Sequence, residues 1–285
     1  MKKYIYIIAA FVLCACAKVE QQLPDGEISF TMNYPAATKV TDSGFETGDA
    51  VSLYAVEYVG TEAQELQVSG NYFNNEKLVC GVGAWTGTRS LYWSDKACDF
   101  YALYPYQSSI GSVSAYPFEV AADQSGDGYE ASDLLYALAE GVTRSDGAVK
   151  LDFKHMLSKV TVQVVKGEKF EGEIPDDIVA HIYNTNVECT VNLLTGSVEK
   201  NAFGAKKTIT MKKLSNEKFE AVVLPQNLEK RTPLIELTMG GIAYLLEYSL
   251  SFRAGYSYVI SVTLNTSPDQ EQIEISIDPG VGSWE

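Results

Sequence analysis

Residues 242–264 read Ile242-Ala243-Tyr244-Leu245-Leu246-Glu247-Tyr248-Ser249-Leu250-Ser251-Phe252-Arg253-Ala254-Gly255-Tyr256-Ser257-Tyr258-Val259-Ile260-Ser261-Val262-Thr263-Leu264. Ile242, Tyr244, Leu246, Tyr248, Leu250 and Phe252 occupy alternate positions. Tyr256, Tyr258, Ile260, Val262 and Leu264 do the same, against Ser257, Ser261 and Thr263. Successive side chains of a strand point to opposite faces, so a period of two puts one face on a core and the other in water, as in antiparallel sheets. Arg253-Ala254-Gly255 between the runs predicts a hairpin connection, with glycine supplying the dihedrals of a tight turn.

The same period recurs on both sides. Val160, Val162 and Val164 share a face, Phe219, Ala221 and Val223 alternate with Lys218 and Glu220, and Ile273, Ile275 and Ile277 alternate with Glu274 and Ser276. The first half is less regular. There, residues 27–32, 49–58, 77–80, 90–93 and 98–104 read as strands, punctuated by Gly48-Asp49, Gly81, Gly83, Gly87, Ser94-Asp95 and Pro105. Residues 132–140 hold helix-forming residues and suit a short helical turn or an extended segment, with the extended form favoured. No long amphipathic helix is legible. Many short strands separated by turns predict an all-β chain of antiparallel β-sandwiches. A break near residue 155 divides it into residues 27–154 and 155–285, two halves of ordinary domain size.

The start of the chain carries export chemistry. Lys2 and Lys3 precede a mostly apolar run, residues 4–13, and then Leu13-Cys14-Ala15-Cys16. This is the layout of a secretory signal, and the run is too short to span a bilayer, which needs roughly 20 apolar residues. Ala15 before a cysteine has the look of a bacterial lipobox. Residues 1–15 are therefore read as a lipoprotein signal peptide, Cys16 as the lipidated N-terminus, and residues 16–26 as a polar tether. Cys14 is the alternative acceptor, but bulky Leu13 precedes it. Acyl chains on Cys16 would hold the protein to a membrane.

Composition narrows the partners. The chain has 285 residues, 37 acidic against 22 basic, and a formal charge of −15. Nucleic acid and anionic lipid faces need a basic patch and are not expected as partners. Cys80, Cys98 and Cys189 remain after the export segment, without a C-x-x-C or Cys/His cluster. Buried free thiols are favoured over a Cys80–Cys98 bridge.

No catalytic constellation emerges, and no metal or other cofactor is expected. The two histidines, His155 and His181, lack partners at ligand spacing and read as structural. There is no G-x-S-x-G elbow and no phosphate-binding glycine loop. Residues 123–128, Asp-Gln-Ser-Gly-Asp-Gly, resemble part of a calcium loop but lack its third acidic position and trailing glutamate. Trp85, Tyr92, Trp93, Phe100, Tyr101, Tyr104 and Tyr106 crowd one stretch. Exposed, they would suit a glycan-binding surface lipoprotein of the kind that accompanies polysaccharide uptake; as strand residues they suit a core, which is the favoured reading.

Several segments together resemble the fimbrillin-like family of Bacteroides-type bacteria. They are Phe45-Glu46-Thr47-Gly48-Asp49-Ala50-Val51 with Leu53-Tyr54-Ala55; Leu91-Tyr92-Trp93-Ser94-Asp95 with Asp99-Phe100-Tyr101-Ala102 and Tyr104-Pro105; Ser132-Asp133-Leu134-Leu135-Tyr136-Ala137; and Phe153-Lys154-His155-Met156-Leu157-Ser158-Lys159-Val160. Leu224-Pro225-Gln226, Ala254-Gly255 with Tyr258, and Gly282-Ser283-Trp284 complete the order. The resemblance implies two transthyretin-like β-sandwich domains in tandem. It also implies an outer-membrane lipoprotein role as an anchor, tip or stalk subunit of a surface pilus, with host or bacterial surface ligands as possible targets of adhesion. Such subunits join other pilin subunits by strand exchange. Residues 27–32 and 272–278 are the expected assembly strands. Release of the first strand in such subunits uses an arginine-specific cut, yet no arginine precedes Arg89. Lys39 is the candidate processing site for a protease that accepts lysine; uncut, the first strand stays in place, which favours an anchor or accessory subunit.

Overall fold

The computed structural model describes residues 26–35, 44–228, 233–265 and 275–284. These are almost entirely β-strand, with one short helix, Gly128–Ser132, and one 3-10 turn, Arg144–Asp146. The expected all-β, mainly antiparallel fold is what forms.

The first half is built on one antiparallel sheet. Its strands run in the order Lys154–His155, Leu135–Val142, Cys98–Tyr104, Ala50–Val59, Phe73–Cys80 and Trp85–Gly87. Both faces of its centre are covered. Val51, Leu53 and Ala55 of one strand and Phe100 and Ala102 of the next face a core closed by Ile28, Met32, Val149, Leu151 and Phe153. Tyr54, Val56, Tyr101 and Leu103 face the opposite way, into a core shared with the second half. Residues 51–56 are therefore all buried. Strands covered on two faces become continuous apolar runs, which is why alternation is weak here.

The second half holds two facing sheets. One has the order Lys212–Lys213, Lys218–Val223, Ser158–Lys166, Tyr256–Leu264 and Ile275–Ser283; in it Ser158–Lys166 and Tyr256–Leu264 run parallel. The other has the order Lys206–Thr210, Val179–Asn186, Pro233–Met239 and Ile242–Glu247. Val160, Val162, Val164, Ile260 and Val262 meet Ala180, Ile182, Ile209, Ile235 and Leu237 in one core.

An early segment crosses into this half. Tyr116–Glu119 pairs with Glu188–Asn192. Beyond it, Val120 N–H donates to the Val187 carbonyl (2.9 Å) and Thr210 N–H to the Ala122 carbonyl (2.8 Å). The fully buried Gln124 amide then exchanges two 2.8 Å bonds with the main chain of Val222.

Three local expectations are corrected. The hairpin across residues 253–255 does not form: Ile242–Glu247 and Tyr256–Leu264 belong to different sheets, and the turn carries the chain between them. The alternating run 242–252 also breaks after Glu247. Ile242–Glu247 is an edge strand that leaves Ile242 54 % exposed, and Leu250–Ser251 then pairs with Asn227–Leu228. Residues 90–93 form no strand, because they find only an isolated bridge from Tyr92 to Glu27. Residues 132–140 split: Ser132 ends the helix, and the extended form holds from Leu135.

Candidate assembly site

The two ends of the described chain are edge elements held by different means. The first strand, Phe30–Asn33, pairs in parallel with Val149–Asp152. Val149 N–H donates to the Ser29 carbonyl (2.9 Å) and Phe153 N–H to the Asn33 carbonyl (3.0 Å). On the other side, Ile28 N–H donates to the Leu91 carbonyl (2.8 Å) and Trp93 N–H to the Gly26 carbonyl (2.9 Å). The short segment is thus stitched between two pieces of chain far from it in sequence, with Ile28 and Met32 plugged into the first core. Since Ser29 and Asn33 bond toward Val149–Asp152 and Ile28 bonds away, period two turns the main chain of Phe30 away from that partner as well. It faces a cleft of about 840 Å³ bounded by Ile28, Phe30, Leu78, Trp85 and Leu91.

The last strand, Ile275–Ser283, lies antiparallel on Tyr256–Leu264 at the edge of its sheet. Trp284 N–H donates to the Gly255 carbonyl (2.8 Å). By the same parity, residue 279 turns its main chain to the open edge. That residue is Pro279, which has no N–H to offer there, and this protects the edge from unplanned pairing.

Between the two ends lies a largely half-buried aromatic cluster, built mostly from the motif segments together with Tyr34 and Trp85. Phe45 packs edge-on against Tyr34, Trp85, Tyr104 and Phe153, with centroids 5.0–5.5 Å apart. The Tyr104 hydroxyl donates to Asp49 (3.2 Å); burial first, and the Asp49 carboxylate second, push its pKa up. Tyr34 donates to Asp133 Oδ2 (2.7 Å). The carboxylate accepts a 2.8 Å bond at Oδ1 from His155 Nδ1, which fixes the tautomer with the proton on Nδ1. The His155 ring stacks on Trp284 at 3.6 Å and 12°. The turn motif is explained too: Tyr258 hydroxyl donates to the Ser251 carbonyl (2.8 Å) and accepts from Arg253 N–H (2.9 Å), while Gly255 adopts φ +71°.

Other sequence candidates are placed as follows. Cys16 and Lys39 lie outside the described residues, as do the signal and most of the tether. Residues 272–274 of the expected terminal strand also lie outside them. Cys80, Cys98 and Cys189 are free thiols, the latter two buried. In the 123–128 loop, Asp123 Oδ1 accepts from Ser125 N–H (3.0 Å) and its hydroxyl (2.6 Å), and no group of three possible metal ligands occurs among the described residues. His181 lies 3.3 Å from Glu236, far from His155's cluster. Trp85 and Trp93 are half-buried against the first core; Tyr92 is 48 % exposed. Sequence reasoning missed the joint role of Tyr34, Asp133 and Trp284. The motif order contains the last two, but nothing in it says they meet.

A family model described as fimbrillin-like matches residues 38–284. The chain belongs to the fimbrillin-like family. No curated protein matches it. Among solved structures, a candidate cell adhesion protein from Bacteroides uniformis shares the fold at TM-score 0.70 and 24 % identity, over 92 % of this chain and 100 % of that one. A second such protein, from Bacteroides ovatus, gives TM-score 0.70 at 17 % identity, over 91 % and 97 %. A fimbrial protein from Bacteroides vulgatus gives 0.56 at 13 % identity, over 92 % and 100 %. This fimbrillin-like chain shares its architecture with all three.

Proposed function

We propose that this fimbrillin-like protein is an exported lipoprotein of the outer membrane and a structural subunit of a surface pilus. It joins other pilin subunits by strand exchange and serves cell adhesion. In this reading residues 27–154 and 155–285 are two transthyretin-like sandwich domains in tandem, with residues 116–124 crossing from the first to the second. Cys16 carries the lipid, and Lys39 is the site at which a protease would free the first strand. The role is mechanical rather than catalytic.

The observation that carries this reading is the first strand itself. It is short, held by main-chain bonds to segments remote in sequence, and covers apolar core residues with Ile28 and Met32. Taking it away leaves a groove with hydrophobic pockets and unpaired main chain, which is what β-augmentation by another chain requires. The test is intact mass and N-terminal sequencing of the protein recovered from its native membrane. An acylated Cys16 start supports an anchor or accessory subunit, and a start near Val40 supports a polymerising stalk or tip. An unlipidated start between residues 14 and 30 contradicts both the lipid anchor and the processing site.

A further inference from the structure

We propose that Asp133 and His155 form a latch that ties the seating of the last strand to the presence of the first. This rests on the strand-exchange reading and adds its regulation. The two terminal strands belong to different sheets and share no pairing. They are bridged by these two side chains. Tyr34, the residue after the first strand, donates to Asp133 Oδ2, and Asp133 Oδ1 accepts from His155, which lies flat on Trp284 at the close of the last strand. Asp133, His155 and Trp284 are each less than 9 % exposed, so the chain of contacts runs through the interior.

Each link is needed by the next. A buried carboxylate must be held by donors, and Tyr34 and His155 divide its two oxygens. Tyr34 also packs edge-on against His155 at 5.7 Å and 83°, on a ring whose stacking partner is Trp284. Its departure removes one donor from Asp133 and one wall from His155. The imidazole is then free to turn toward the vacated oxygen, which takes it off the indole. Trp284 has no other polar tie among the described residues: its buried indole N–H lacks a partner, and beyond its apolar packing in the shared core it is held by the stack and one main-chain bond. An unsatisfied buried N–H makes this seat weaker than its burial suggests. The event that opens the groove on a subunit therefore loosens the strand that the same subunit would donate. Subunits with the first strand in place keep both ends closed.

The test is hydrogen exchange by mass spectrometry on the full chain. Tyr34→Phe keeps the ring and removes only the donor. We expect exchange in residues 280–284 to rise roughly tenfold, a factor that corresponds to about 1.4 kcal/mol, while Val149–Asp152 keeps its protection and shows the first strand still docked. In a His155→Ala background, Tyr34→Phe should add nothing further. Unchanged exchange in residues 280–284 in Tyr34→Phe overturns the latch, as does an equal effect with and without His155. The same preparations are assayed for polymer after removal of the first strand. Polymer with an unchanged exchange pattern sinks the latch alone; altered exchange without polymer sinks the assembly reading and the latch's purpose with it.

Discussion

Glu220 shows how single residues hold the interface between the halves. Its carboxylate is almost fully buried and is met by Lys159 (3.4 Å), Lys218 (2.9 Å), the Tyr129 hydroxyl (3.3 Å) and the Thr161 hydroxyl (3.4 Å). Burial pushes its pKa up, but the two lysines outweigh burial and hold it below the ordinary 4.5. A depressed folded value means that folding favours the ionised form. The stabilisation is complete above the unfolded value and is lost as pH falls through the folded one. Stability of the protein should therefore decline below about pH 4.5, and urea titrations should show part of that decline vanish in Glu220→Gln. Thiol chemistry gives a second check. Burial raises Cys189 to about 12 and Cys98 to about 11, so neither is thiolate near neutral pH and neither should react with iodoacetamide at pH 8 in the folded protein. Rapid labelling of Cys189 before unfolding would contradict its placement.

At the scale of elements, the turn between Glu188–Asn192 and Ser197–Lys200 docks on the other half. Gly196 has φ +60°, and a Cβ there would lie 2.3 Å from the Tyr136 ring. Gly196→Ala should destabilise by about 1–3 kcal/mol in urea melts, and Tyr136→Leu should recover part of it; full tolerance of Gly196→Ala would count against this docking. The first strand is the complementary case. Met32→Ala should cost roughly 2 kcal/mol, with local opening: amides of Val149–Asp152 lose protection while those of Ser158–Lys166 keep theirs. These elements also show what was legible in the sequence. A strand with one wet face, such as Tyr256–Leu264, follows from its alternation; Ser158–Lys166 alternates in sequence too, although its polar face is also buried as far as Thr161. Ala50–Val59 is recognisable as a strand, but its two-sided burial hides which face meets which core. Pairing is least legible where it is non-local: the hairpin expected at residues 253–255 obeyed local turn chemistry, yet Tyr256–Leu264 pairs with Ser158–Lys166, almost a hundred residues earlier, and with Ile275–Ser283 after it. The crossing of residues 116–124 is illegible in the sequence for the same reason. Of the candidate site, the ordered motif segments signalled a family, whereas the stack of His155 on Trp284 joins positions whose proximity no spacing rule gives.

At the scale of the whole molecule, two halves are locked together by a shared core and a crossing segment, while the last strand sits at a sheet edge and the first lies beside an open cleft. In the proposed role, exchange of these ends would let such a body carry load along a fibre, since each junction would be made of main-chain bonds and alternate side chains. The rigid part should survive the loss of the first strand, and the groove should then seek a substitute. The most direct measurement places a specific protease site between residues 36 and 43 of the full chain and follows assembly by mass photometry after the folded protein is cut. The expected result is conversion from monomer to polymers that resist mild denaturant, blocked by a synthetic peptide of residues 26–35 that refills the groove. A cut protein that stays monomeric and folded with its first strand gone, or uncut protein that polymerises equally well, would contradict assembly by strand exchange at this site.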